Sequence, residues 1–264
     1  MEFISSYVLT NNSQKYLVEI LDKLTLVADE IIIIDSGSQD KTQKIAMSYS
    51  KVKFLVHSFE NFKRQRIFAE NQCSYDNILF VDSDEIPNEQ MIGSLLNLKE
   101  KGIDKDVYSI KRSWQVLGKF VTAIYPVTCP DFPIRLYKKE KASFKDSNMV
   151  HENMSHFSSK GLIKGSLHHK TFHTKEELFK KLEFYTSIAS NDLINRNKTI
   201  GLHKIFLSPI AAFIKWYIIK QGYKDGCLGL LLGKYAYLYT LKKYVKARKN
   251  ITQHFVNKHS RDSE

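Results

Sequence analysis

Two short runs in the first third of the chain, Glu30-Ile-Ile-Ile-Ile-Asp35 and Asn77-Ile-Leu-Phe-Val-Asp82, are apolar at every interior position and end on an aspartate. Such runs are short for a core helix and have no polar face for water. They read as strands covered on both sides, the situation of a parallel sheet. Stretches of the opposite kind lie around them. Phe3–Thr10 and Lys51–Ser58 read as two further strands, and Lys41–Ser50 and Phe62–Ser74 as helices. Leu17, Ile20, Leu21 and Leu24 share one face of another helix, for which Ser13 is the expected cap. Strand and helix alternating at this pace predict an α/β fold, a Rossmann-like and mostly parallel central sheet with helices on both faces. Ligands in such sheets bind beyond the carboxyl ends of the strands. Three polar motifs fall there: Thr10-Asn11-Asn12, Asp35 to Asp40, and Asp82-Ser83-Asp84-Glu85.

The rhythm changes after Gly102. Asp106–Gly118 and Phe132–Phe144 read as longer strands of a mixed sheet, and Lys170–Ile194 as a helix with Leu178, Leu182, Tyr185 and Ile188 or Ala189 along one side. The expected division is a catalytic part over 1–200, with a nucleotide-binding half (1–101) and an acceptor half (102–200), followed by a helical, amphipathic appendage over 201–264. Ser208-Pro209 is the expected break ahead of the appendage.

Charge is concentrated at that end. The chain carries a formal +12, yet residues 201–250 hold ten Lys or Arg against a single acid, Asp225. Long apolar and aromatic stretches alternate with these lysines. Two readings stand: helices lying on an anionic membrane surface, or helices packed on the core with their lysine heads reaching water. No RNP, zinc-finger or helix-turn-helix pattern accompanies the charge, so nucleic acid is not an expected partner. Cys73, Cys129 and Cys227 lie far apart, which argues against a disulfide framework and for a reducing compartment. No leader and no uninterrupted apolar run of membrane-spanning length is read, so the expected location is the cytoplasm.

The chemistry is narrowed by what the strand-end loops lack. The loop after Ile34 has one glycine, Gly37, and no GK[ST] occurs, which excludes the dinucleotide and P-loop fingerprints. What remains is phosphate handling through a cation held by carboxylates. Mg2+ and Mn2+ prefer hard oxygen ligands and bind through one or two carboxylates plus substrate phosphates. Asp82, Asp84 and Glu85 supply acids, and crowding them is costly without compensating cations. Taken singly, Asp35 and Asp40 read as helix caps, Glu85 as an acid in the first turn of a helix, and Trp114, Tyr125 and Phe132 as core aromatics. His169 and His173 have the spacing of a zinc pair but no third ligand in obvious range.

Taken in order, the motifs IIIIDSGSQDKT, ILFVDSDE, PIRLYKKE, MVHEN and HHKTFHTKEELFKKLEFYT resemble the inverting glycosyltransferases of family two, with the GT-A fold. Within that family the chain is most similar to lipopolysaccharide core glucosyltransferases of the WaaE and LgtF type, over nearly its whole length. The resemblance implies a hexose, glucose first, moved from a UDP-sugar donor to a saccharide or lipid-linked acceptor in bacterial surface glycan assembly, with Mn2+ or Mg2+ as cofactor, at the inner face of the membrane. It places Thr10, Asn11, Asn12 and Asp35 around the base and ribose, with Ser13 standing where relatives often have an acid. Gln65 and Arg66 fall near the diphosphate and Asp82 at the ribose or donor sugar. Asp84 becomes the metal ligand, with His169 as the further contact and His168 its alternative by one step of register. Glu152 is the implied base and Asp131 the alternative, with Arg135 and His151 in acceptor-side or supporting positions. A nucleotidyltransferase is the nearest rival enzyme, but its glycine-rich loop is missing from YVLTNNSQK. A noncatalytic binding protein is the rival of another class, and the set Asp82, Asp84 and Glu152 argues against it.

Overall fold

The structure is a computed structural model that describes residues 2–142, 144, 154, 156–196 and 200–261, with side chains to residue 250. Its first hundred residues run β1 (Ile4–Thr10), α1 (Gln14–Val27), β2 (Glu30–Asp35), α2 (Thr42–Ala46), β3 (Val52–Val56), α3 (Phe62–Gln72), β4 (Asn77–Asp82), β5 (Glu85–Pro87) and α4 (Glu89–Lys101). Strands β3, β2, β1 and β4 lie side by side and parallel. The pleat explains the uniformly apolar runs. Ile31, Ile33, Leu79 and Val81 join Ile4 and Val8 under the apolar stripe of α1 (Leu17, Ile20, Leu21, Leu24). Ile32, Ile34, Ile78 and Phe80 join Tyr7 on the opposite face, against Ala69 and Cys73 of the α3 segment. Each fully buried Ile or Leu contributes about 1.5–3 kcal/mol, so the two faces together fix the register.

The sheet then turns antiparallel. β6 (Val107–Val116), β7 (Lys119–Phe120), β8 (Ala123–Ile124), β9 (Val127–Thr128), β10 (Ile134–Lys138) and β11 (Lys160–Thr171) follow in the chain. The strand order runs β3-β2-β1-β4-β10-β6-β11-β5, with β7 on β6 and β8 paired separately with β9. β10 is antiparallel to both β4 and β6, and β5 is antiparallel to β11. The expected mixed sheet is therefore found, parallel in its first four strands.

Five expectations are corrected in detail. Ser13 does not cap α1 with its side chain; the amide of Gln14 instead donates to Asp40 Oδ2 at 3.1 Å, and Asp40 also accepts from the amide of Thr42 at the start of α2. Glu85 opens a strand rather than a helix, and the first turn of α4 is capped by Asn88, which accepts from the amide of Met91. The helix expected from Lys170 begins at Lys175 (α5, Lys175–Asn195), because Lys170 and Thr171 still belong to β11 and Thr174 is the cap, accepting from the amide of Glu177. Its buried side is Leu178, Leu182, Thr186 and Ser190, while Tyr185 and Ile188 stay about half exposed. Small side chains at 186 and 190 turn back onto their own helix and let it pack against α7 (Gly226–Arg261). Finally, Ser208-Pro209 makes no break: α6 (Leu202–Phe213) passes through a buried Pro209 and continues as a π-helical turn, Ile214–Ile219. Packing of the proline ring outweighs its poor helix propensity there.

Two compact units result, Met1–Ser113 with Asp131–Lys170, and Trp114–Pro130 with Thr171–Glu264. This division differs from the expected boundary at 200: α5 and the segment carrying β8 and β9 group with the C-terminal helices. In that second unit Val116, Val121, Ile124 and Cys129 share a core with Phe172, Leu178, Leu182, Leu232 and Tyr235. No disulfide joins Cys73, Cys129 or Cys227.

Candidate active site

Thr10, Asp35 and Asp82 are the last residues of three adjacent parallel strands, and register sets Thr10 opposite Asp35 and Leu9 opposite Asp82. The carboxylate of Asp35 is buried and fully used. It accepts from Thr10 Oγ1 at 2.7 Å, the amides of Gly37 and Ser38 at 3.0 and 2.7 Å, and Ser38 Oγ at 2.6 Å. Gly37, at φ 91°, makes that turn available. Asn12, also left-handed at φ 50°, ties its own loop to this one: its amide donates to Ser38 Oγ and its side-chain oxygen accepts from the amide of Gln39. Asp35 therefore organises the loop by its own hydrogen bonds and is not a helix cap.

Beside this loop lies a recess of about 330 Å³ lined by Thr10, Asn11, Ser36, Gln65, Phe59 and Phe62 among others. Gln65 is fully buried, donating to Ser36 Oγ and to the carbonyl of His57, with its own oxygen 2.7 Å from His57 Nδ1. It braces the recess wall. Phe59 and Phe62 meet edge to face with centroids 5.0 Å apart, and each is about half exposed. These two rings were missed in the sequence. The signal was two phenylalanines in the polar stretch His57–Lys63 just after a strand, where nothing local calls for burial.

The crowded acids find their cations. Arg66 Nη2 donates to Asp82 Oδ1 at 3.0 Å, and Arg135 Nη2 to Asp82 Oδ2 at 2.9 Å. Arg135 also reaches both oxygens of Glu85, through Nε at 2.9 Å and Nη2 at 2.5 Å. Arg112 Nη1 reaches Glu85 Oε1 at 2.9 Å, and the rest of its guanidinium forms a two-pronged pair with Asp131 at 3.0 and 2.5 Å. Three acids and three arginines thus alternate in one chain: Arg66, Asp82, Arg135, Glu85, Arg112, Asp131. Glu85 has no exposed surface at all. The Arg66 and Arg135 guanidiniums also lie 4.6 and 4.5 Å from the centre of the Phe80 ring. Burial would raise the pKa of Asp82, but the charges of Arg66 and Arg135 outweigh it and hold the carboxyl well below the usual range.

Asp84 stands apart from this chain. Its side chain is 43% exposed, and His169 Nε2 lies 3.1 Å from Oδ2. The pairing of β11 with β5 sets His169 opposite Glu85 and His168 opposite Ile86, while the amide of Lys170 donates to the carbonyl of Asp84. Burial, reinforced by Lys170, lowers the His168 pKa. Among the described residues no three His, Cys, Asp or Glu side chains converge on one point, which leaves zinc at His169 and His173 without support. Asp84 and His169 do fit a hard divalent cation that takes its remaining ligands from phosphate and water.

Of the other expected residues, Arg135 is buried as a strut between Asp82 and Glu85. Asp131 has both oxygens engaged by Arg112. Glu152 and His151 lie outside the described residues. Phe132 is half exposed and lines a second recess, about 310 Å³, with Arg66, Phe80, Arg135 and Lys160. Tyr125 packs on Trp216 and Tyr239 as a core ring.

The model of the family described as "Glycosyl transferase family 2" matches residues 5–162, which takes in every strand of the parallel sheet and the whole charge chain. The chain belongs to glycosyl transferase family 2. Membership gives the strand-end loops their meaning: this is a glycosyltransferase, and the GT-A fold expected from its motifs is the fold of its α/β sheet. Among curated relatives, an uncharacterized glycosyltransferase of Rickettsia typhi is 25% identical over 243 residues, 88% of this chain and 82% of its own. The lipopolysaccharide core biosynthesis glycosyltransferase LpsC of Rhizobium meliloti is 24% identical over 268 residues, covering 94% of this chain and 96% of LpsC. Among solved structures, S. aureus TarS 1-349 is 17% identical with a TM-score of 0.48, over 96% of this chain and 92% of that one.

Proposed function

We propose that this family 2 glycosyltransferase is a metal-dependent, inverting enzyme that moves a hexose, with glucose as the first candidate, from a UDP-sugar to a saccharide acceptor in bacterial surface glycan assembly. The observation that carries the reading is the contrast between neighbouring acids at the end of β4. Asp82 is neutralised from both sides, whereas Asp84 is 43% exposed and, among the described residues, has an imidazole at its carboxylate. The relationship to LpsC, even along nearly the full length of both chains, supports lipopolysaccharide core as the kind of product. The acceptor we favour is a lipid-linked glycan at the cytoplasmic face of the membrane.

In this reading the recess beside Thr10 and Asn11 takes the base, with Phe59 and Phe62 as its apolar walls and Asp35 keeping the loop in shape. Asp84 and His169 would hold Mn2+ or Mg2+, which when bound supplies positive charge to the departing diphosphate. Arg66 and Arg135 fix Asp82 in its ionised form, an acceptor for sugar or ribose hydroxyls. Inversion needs one carboxylate to take the acceptor's proton as it attacks. Glu152 is that base by its place in the family pattern, and the engagement of Asp131 by Arg112 supports this choice over the alternative.

The test is thermal stabilisation by UDP, GDP, CDP and ADP, each with and without Mn2+, on the protein and on Asp84→Ala. A ligand that binds only the native state raises the melting temperature by mass action. UDP should raise it in a metal-dependent way that Asp84→Ala loses. A shift equal in both proteins, or none with any nucleotide, would overturn the reading.

A further inference from the structure

In a helix of a water-soluble unit the apolar side faces the core. The helical run from Leu202 to Ile219 does the reverse. Leu202, Phe206, Leu207, Ile210, Ile214 and Ile218 are each between 42% and 66% exposed, and they recur every three or four residues along one side. The buried side holds Pro209 and Trp216. Contiguous apolar surface of this kind marks a site that something else covers.

Charge says what covers it. Between 201 and 224 the sequence has Lys204, Lys215, Lys220 and Lys224 and no acid. The one acid between 201 and 250, Asp225, is turned inward, accepting from the amide and hydroxyl of Thr122, both at 2.7 Å. An apolar stripe in a segment whose own formal charges are all positive complements a lipid surface bearing anionic headgroups. A second copy of the chain would bring these like charges together across a two-fold contact. Crossing the bilayer is a poorer fit as well. The run Leu202–Ile219 is apolar enough in the mean, with hydropathy 1.3, but it includes Lys204 and Lys215. It also packs closely on α7, where a Cβ at Gly233 would stand 3.0 Å from Phe213 and 3.1 Å from Tyr217.

We infer that Leu202–Ile219 is a membrane-docking helix that lies in the plane of an anionic bilayer, with Phe206, Leu207, Ile210, Ile214 and Ile218 among the acyl chains and its lysines at the headgroups. The inference rests on the proposed function only for the location of the acceptor; the docking face itself is independent of donor and metal. The test is sedimentation of the full chain with phosphatidylglycerol-containing vesicles and with pure phosphatidylcholine vesicles, without nucleotide or acceptor. Binding should require the anionic lipid and weaken as salt is raised. Phe206→Ser with Ile210→Ser should lower the vesicle partition coefficient by about tenfold or more. Both positions are exposed, so the melting temperature should hold. Lys204→Glu with Lys215→Glu should do the same through charge alone. Equal partition of all variants would overturn the inference, as would failure to bind anionic vesicles. So would retention in the pellet after alkaline carbonate, which would mean a spanning segment, or a dimer that Phe206→Ser with Ile210→Ser dissolves in the absence of lipid binding. Because no substrate is present, failure here leaves the transfer reaction standing. Conversely, loss of the UDP-dependent thermal shift leaves docking untouched.

Discussion

Asp84 and Glu85 are neighbours in the chain with opposite surroundings, and substitution should separate them. The Asp84 side chain is 43% exposed and, among the described residues, pairs with His169, so Asp84→Ala should change stability by less than about 0.5 kcal/mol while cutting sugar transfer by about a hundredfold or more. Glycosyl transfer unchanged in that variant, with chelator present, would remove Asp84 from the site. Glu85 lies buried between Arg112 and Arg135, and Glu85→Ala removes the carboxylate they share, leaving Arg112 with Asp131 and Arg135 with Asp82 and one positive charge of the buried network uncompensated. Loss of one partner of a buried pair costs about 3–5 kcal/mol, which urea unfolding would register. The three thiols should sort by the same logic. Burial, with Glu30 nearby, pushes Cys73 up to about 12, so it stays protonated and inert through neutral and mildly alkaline pH. Exposed Cys227 should be labelled rapidly by iodoacetamide, and rapid loss of Cys73 would contradict its place under the sheet.

At the scale of elements, β11 makes a tight junction with the start of α4. Asn88 accepts from the amide of Met91 as a cap and from the amide of Ser166 on the strand, while its own amide donates to the Ser166 carbonyl. Gly165 sits over that cap at φ 101°, and a methyl there would collide with the backbone of Met91. Gly165→Ala should cost roughly 1–3 kcal/mol from crowding, with added strain from its left-handed backbone; an unfolding midpoint like the parent's would show that strand and cap can part. This junction also shows what could be read beforehand. β2 and β4 were legible because both faces of each strand write themselves into a short window as unbroken apolar residues, and β1 and β3 because they fall into the same alternation with helices. Glu85 was misread because its partners Arg112 and Arg135 lie 27 and 50 residues away, and a local window sees only an acid ahead of a proline. His169 was placed by family register, and only the pairing of β11 with β5 explains why it and not His168 reaches Asp84. Pro209 misled for the converse reason: its local propensity is clear, and tertiary packing overrides it.

At the scale of the whole molecule, the chain divides into a unit built on the sheet and a unit built on the C-terminal helices. The observed division into two units was not legible from composition, because a segment that groups with the helices is spliced between two strands of the sheet. The chain leaves the catalytic unit after Ser113 and re-enters it at Asp131. Arg112 and Asp131 face each other there across an antiparallel bridge, with N–H···O distances of 2.8 and 3.2 Å. That geometry makes the excursion removable as a cassette. Truncation after Lys170 alone should yield insoluble protein, since Val116, Val121 and Ile124 would lose the helices that cover them. The same truncation with 114–130 replaced by a two-residue hairpin turn should yield a minimal, soluble fold onto which another module could be grafted.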